Sequence, residues 1–160
     1  MKKDFLDTFY KNLSDKEEDS SLTSMTLSMA IISEKIYSHA KHIHDKYDLT
    51  RAEVDLLATL NIYGGELTAS QISDRMVFTS GGMSKVIKKL ELKKLIYKKE
   101  STEDKRSSLL HIEQKGKDIL DKCLPELKQA HRHFLGVLNE TEKDILEKAL
   151  KKVLYNSIEN

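Results

Sequence analysis

Apolar residues recur every three or four positions along nearly the whole of this chain, and the spacing changes to two only once, between Leu95 and Ile112. A period of 3.6 marks one buried face of a helix and a period of two marks a half-buried strand, so the chain is predicted to be mainly α with a small β-hairpin. Residues 95–100 and 108–112 read as the two strands, flanking a polar, basic tip at 101–107. One Pro, six Gly, no Trp and 33% charged residues agree with a helix-dominated fold. A length of 160 residues suits one domain, or one that enlarges its core by dimerising, and is too short for a multidomain enzyme.

The helices carry their own punctuation. Residues 1–20 are acidic and polar, with only Phe5, Leu6, Phe9, Tyr10 and Leu13 at helical spacing, and read as an N-terminal arm against a partner subunit. Leu22, Met25, Met29, Ile32, Ile36, Ala40, Ile43 and Tyr47 mark one long amphipathic helix. Thr50-Arg51-Ala52-Glu53 is a capping box ahead of Val54, Leu57 and Leu60, and Gly64-Gly65 stops that helix. A second box, Thr68-Ala69-Ser70-Gln71, opens a short helix with Ile72 and Met76 inward. Thr79 or Ser80 then caps a helix that turns Met83, Ile87 and Leu90 inward and carries Ser84, Lys85, Lys88 and Lys89 on or beside its outer face. Two short helices joined by a tight turn make a helix-turn-helix, and the following hairpin makes it winged. A plain helical hairpin explains the apolar pattern equally well, but not the cationic outer face. After the hairpin a helix runs from Gln114 towards Leu138, bent at Pro125, and Asn139-Glu140-Thr141-Glu142 caps a last one bearing Ile145, Ala149, Leu150, Val153 and Leu154. The expected organisation is an arm at 1–20, a helical dimerisation region at 21–48 and 114–160, and a winged helix-turn-helix DNA-binding domain at 49–113.

A net charge of +1 hides an asymmetry. Residues 85–106 hold nine basic side chains against four acidic ones, a local net of +5 in an otherwise anionic chain. Such a compact cationic stretch is the electrostatic footprint expected for phosphate, whereas scattered charge would only solvate a surface. The single cysteine excludes an intramolecular disulfide, and no apolar run approaches a membrane span, so a soluble cytoplasmic protein is expected.

With these elements in place the sequence resembles the MarR family of bacterial transcription regulators, over almost its whole length. The wing tip Thr102-Glu103-Asp104-Lys105-Arg106-Ser107 looks like the family's Asp-x-Arg tip, and Lys115-Gly116 falls where the family places Lys-Gly. Two departures are Lys94, where the family usually has Gly, and Glu113 in place of Thr. The resemblance implies a homodimeric DNA-binding regulator, a repressor released by a small aromatic effector, acting on a pseudo-palindromic site in double-stranded DNA. Thr79 and Ser80 would meet phosphate, and Gly81 and Gly82 would permit close approach. Ser84, Lys85 and Lys88 would read bases in the major groove, and Lys89 would hold phosphate. On the wing, Lys105 adds charge and Arg106 enters the minor groove, steadied by Asp104. Ile36, His39, Ile43, Tyr47, Leu57 and Met83 would line the effector pocket, although each is also a plausible core residue.

Competing chemistry is weakly signalled. Neither Gly64-Gly65 nor Gly81-Gly82 has the spacing of a phosphate loop, and no nucleophile or acid–base pair stands out, so neither an enzyme nor a cofactor is expected. His39 and His42 share a helix face and give a metal-sensing regulator of the same fold as one alternative. A winged protein-interaction module without DNA binding is the other. Cys123 reads as a buried bystander ahead of a redox switch.

Overall fold

A computed structural model describes residues 3–14, 20–76, 82–100 and 108–159. Helices α1 (Lys3–Ser14), α2 (Ser20–Lys46) and α3 (Arg51–Ile62) lead into strand β1 (Glu66–Thr68), followed by α4 (Ala69–Ser73) and α5 (Met83–Leu92). Strands β2 (Ile96–Glu100) and β3 (Ser108–Ile112) precede α6 (Gln114–Leu135) and α7 (Glu140–Glu159). The chain falls into two compact units that divide between Ala40 and Lys41. Within the first, the residues read as an arm form α1, whose Tyr10 hydroxyl lies 2.7 Å from Ser28 Oγ of α2.

All three expected capping boxes form. Thr50 Oγ1 accepts from the Glu53 amide at 3.3 Å while Glu53 Oε2 accepts from the Thr50 amide at 2.6 Å. Thr68 with Gln71, and Asn139 with Glu142, repeat the exchange at 2.8–3.2 Å. The helix ends are as specific. Beyond α5 the Leu95 amide returns to the Leu90 carbonyl and the Lys94 amide to the Glu91 carbonyl, with Lys94 left-handed at φ 57°. That pair of bonds is a Schellman motif, which favours Gly at the left-handed position because only Gly lacks a Cβ. Asp48, at φ 51°, closes α2 in the same way, and after α3 Gly64 is left-handed at φ 91° while the Gly65 amide returns to the Leu60 carbonyl.

Two expectations need correction. The hairpin is not the whole sheet, because β1 pairs antiparallel with β3, Leu67 opposite Leu110, giving the order β1-β3-β2. A three-residue strand that doubles as the approach to a capping box leaves almost no period-two signal. The N-cap of α5 is Gly82, with no side-chain cap bond, and not Thr79 or Ser80, which lie outside the described residues.

The core of the second unit gathers Leu56, Leu57 and Leu60 of α3, Ile72, Leu90, Leu95, Ile96, Leu110, Leu120 and Cys123, all under 2% exposed. Cys123 sits on α6, where burial pushes its thiol up and disfavours the reactive thiolate. Helix α6 continues through Pro125, which leaves one rung of its ladder without a donor. At its start, Gly116 lets α6 close on the base of the wing: a Cβ there would stand 2.5 Å from the Leu95 carbonyl oxygen. Gly116→Ala is therefore expected to destabilise the protein by about 1–3 kcal/mol through overpacking, and Lys94→Gly to stabilise it by about 1 kcal/mol through relief of the left-handed backbone. Chemical denaturation midpoints at constant m-value test both.

Candidate nucleic-acid interface

Helix α5 is two-faced. Met83, Ile87 and Leu90 are buried, while Gly82, Ser84, Lys85, Lys88 and Lys89 are exposed, as the spacing predicts. Burial of one face fixes the rotation of the helix about its axis, and that rotation carries the lysines outward. The first amides of α5 lack helical acceptors, and Gly82 has no Cβ to shield them.

The other end of α5 is clamped. The Lys93 ammonium donates to the Asp48 carbonyl oxygen at the end of α2 and lies 3.4 Å from Asp48 Oδ2 and 3.2 Å from Glu53 Oε1. Glu53 is 1% exposed, so this ammonium neutralises a carboxylate otherwise sealed from water. The Lys115 ammonium, from the first turn of α6, donates to the Lys93 carbonyl at 3.0 Å. Three elements therefore hold the C-terminal end of α5.

Strands β2 and β3 stand beside α5. Lys98 of β2 donates to Glu91 Oε2 at 2.9 Å, and Lys99 is exposed. A cleft of about 350 Å³ opens between α4, α5 and the strands, lined by Thr68, Ala69, Ser70, Ser84, Ile87, Lys98, Ser108 and Leu110. Of these, only Ser84 carries a DNA-binding role in the sequence reading. The missed signal is Lys98 on the same strand face as Ile96, where alternation calls for an apolar residue. On the opposite face Glu66, His111 and Tyr97 align across the three strands, with the Tyr97 and His111 rings stacked at 4.8 Å and Glu66 Oε2 3.2 Å from His111 Nδ1.

The remaining sequence-marked residues scatter. Thr79, Ser80, Gly81, Asp104, Lys105 and Arg106 lie outside the described residues. Ile43, Leu57 and Met83 are core residues of the second unit, and Tyr47 is half-buried there, its hydroxyl donating to Glu126 Oε1 at 2.7 Å. Lys46 donates to the same oxygen at 2.6 Å, and the two bonds hold the Glu126 carboxyl below the usual carboxylate range. Ile36 is half-buried and His39 exposed in the first unit, and His42 is exposed in the second. Among the described residues no three His, Cys, Asp or Glu side chains group as metal ligands, and no helix is long and apolar enough to cross a membrane.

The profile of the MarR family matches residues 47–107, from the end of α2 to the wing tip. The HTH-type transcriptional regulator MhqR of Bacillus subtilis (strain 168) is 30% identical over 141 residues, which cover 85% of this chain and 96% of that protein. The chain belongs to the MarR family. It is a DNA-binding transcription regulator and not an enzyme. Its fold is similar to that of a mutant MarR from E. coli crystallised with operator DNA, with TM-score 0.76 and 18% identity over 87% of this chain and 99% of that one. It is equally similar to an organohalide-sensing transcriptional regulator in its 2,4-dichlorophenol-bound form, with TM-score 0.78 and 20% identity over 89% and 83%. Family membership gives the clamp on α5 its interest, since this is the helix that the sequence predicts to face DNA. Lys93→Met should cost on the order of 3 kcal/mol, because it strands the buried Glu53 charge. Thermal unfolding of that variant beside Lys93→Met/Glu53→Gln checks this, with the double variant expected to recover much of the loss.

Proposed function

We propose that the protein acts in the cytoplasm as a homodimeric repressor that binds a pseudo-palindromic operator and is released by a small aromatic acid or phenol. The observation that carries the DNA-reading part is α5 itself, one face in the core and the other presenting Ser84, Lys85, Lys88 and Lys89 to solvent. Ser84, Lys85 and Lys88 would contact base edges, while Lys89 would hold phosphate, because Lys reaches guanine acceptors and a serine hydroxyl pairs with either partner type. Thr79, Ser80, Gly81 and Gly82 would lie against the backbone, and Lys105 with Arg106, steadied by Asp104, would reach the flanking minor groove.

Dimerisation is supported by α7, on which Ile145, Val153, Leu154, Tyr155 and Ile158 are all exposed. So much apolar surface along one helix calls for a partner, and a second copy satisfies it symmetrically. Two copies of α5 would then address successive major grooves about 34–36 Å apart. Release by an aromatic effector is supported by the dichlorophenol-bound neighbour of similar fold. An effector acts only through its preference for one arrangement of the two reading helices, and a coupling of about 1–3 kcal/mol corresponds to roughly 5- to 150-fold in affinity.

Electrophoretic shifts over a chloride series should give one dimer per duplex and an affinity that falls steeply with salt. An interaction module that does not use DNA would show no such retention. Arg106→Ala should weaken binding with unchanged circular dichroism, and an unaltered affinity would remove the wing tip from the interface. Titration of the complex with salicylate-like compounds, zinc and a chelator distinguishes the effector classes. Release by the aromatic compound is expected, whereas a zinc-dependent, chelator-reversed change would replace it with a metal.

A further inference from the structure

The helix-facing side of the wing sheet changes character along its length. At its base Ile96 stands opposite Ile112, both buried; one pair along, Lys98 stands opposite Leu110; at the next, Glu100 stands opposite exposed Ser108. Residues directly opposite in an antiparallel pair share a face, so Lys98 projects where the pattern would place a third apolar residue. Lys98 thereby lines the cleft against α4 and α5, with its ammonium at the Glu91 carboxylate of α5. Thr68, Ser70, Ser84 and Ser108, four hydroxyl-bearing residues, line the same cleft with Ile87 and Leu110. A cation at a cleft lined by hydroxyl-bearing residues is chemistry suited to a phosphate oxyanion.

An anionic group already stands beside that cation. Glu91 Oε2, on the penultimate residue of α5, accepts from Lys98 Nζ at 2.9 Å, and both side chains remain partly open to solvent. A solvent-accessible pair of this kind exchanges partners readily, because its net stabilisation is small. Ser84 connects the cleft to the reading helix. It lines the cleft and lies four residues from Lys88, so the two share the outer face of α5. A duplex laid against Lys88 would therefore run past Ser84 at the cleft.

We propose that this cleft seats one backbone phosphate of duplex DNA, held by Lys98 and the surrounding hydroxyls, and that Glu91 is the resident counter-ion which the phosphate displaces. This rests on the DNA-binding reading above and adds a contact, and an internal competitor, that the basic face of α5 alone does not supply. Glu91 thereby lowers DNA affinity: it occupies the cation and repels the incoming charge.

The test uses the full chain, a labelled random-sequence duplex and a chloride series, with fluorescence anisotropy as the readout. Lys98→Gln should weaken binding alike on all sequences and flatten the slope of log affinity against log salt by about 0.9 per protomer bound. Lys98→Arg should retain the slope. Glu91→Gln should tighten binding by about twofold to fivefold, the range of an exposed ion pair, and adding Lys98→Gln should abolish that gain. If the wild type binds with a steep slope and Lys98→Gln leaves it unchanged in a folded protein, the seat is overturned while the DNA-binding reading stands. If the wild type shows no salt-dependent binding, the DNA-binding reading itself fails. Calorimetric titration with inorganic phosphate is the second arm. Saturable binding that Lys98→Gln removes, with the DNA slope unaltered, would assign the cleft to a free anion and overturn the proposal.

Discussion

A carboxylate sealed from water must find a cation, and the position of α5 depends on how Glu53 meets that demand. One of its oxygens accepts from the Thr50 amide and so fixes where α3 begins. The other faces Lys93, the residue that ends α5. Because Lys93 also donates to the Asp48 carbonyl, the end of α2, the start of α3 and the end of α5 share one electrostatic junction. Removing Lys93 would leave the buried Glu53 charge without its cation, whereas removing Glu53 would leave Lys93 only its contacts with Asp48, so the junction is coupled but not symmetric. Two left-handed residues flank it, Asp48 and Lys94. Asp tolerates that conformation through its short polar side chain, whereas Lys is held there by the two Schellman bonds and the burial of Leu95.

The junction explains what the sequence could and could not reveal. Capping boxes are local, and Thr50–Glu53, Thr68–Gln71 and Asn139–Glu142 were all legible because both partners lie within four residues. The inward face of α5 was legible for the same reason, since Met83, Ile87 and Leu90 repeat at helical spacing. Strand β1 was not, because its partner β3 lies far along the chain and three residues cannot display a period. The second role of Glu53 was hidden as well: a capping-box glutamate is ordinarily exposed, and only the arrival of Lys93 from α5 makes burial tolerable. Lys94 could be read as a departure from the family's glycine, and its positive φ bears that reading out.

The candidate interface divides along the same line. Ser84, Lys85, Lys88 and Lys89 follow from periodicity once the inner face is known. The hydroxyls of the cleft do not, because Thr68, Ser70, Ser84 and Ser108 come from three separate stretches of chain brought together by tertiary packing. Composition gave the charge of the region without its arrangement. Of the nine cations between Lys85 and Arg106, Lys93 is committed to the junction and Lys98 is paired with Glu91. A local net of +5 therefore overstates the charge immediately available to phosphate.

Residues that violate a pattern carry more information about function than residues that obey it. A lysine on the helix-facing side of β2 gives up apolar burial that Ile96 and Ile112 obtain one pair away. The Glu91 pair offsets little of that loss, since exposed pairs contribute only about 0–1 kcal/mol. Lys93 also breaks the expectation of a solvated lysine, but there the compensation is visible in the buried carboxylate it neutralises. Lys98 has no comparable structural return among its described contacts. The difference separates the two lysines physically: Lys93 holds α5 in place, while Lys98, on an open cleft beside that helix, stands where an external anion can reach it.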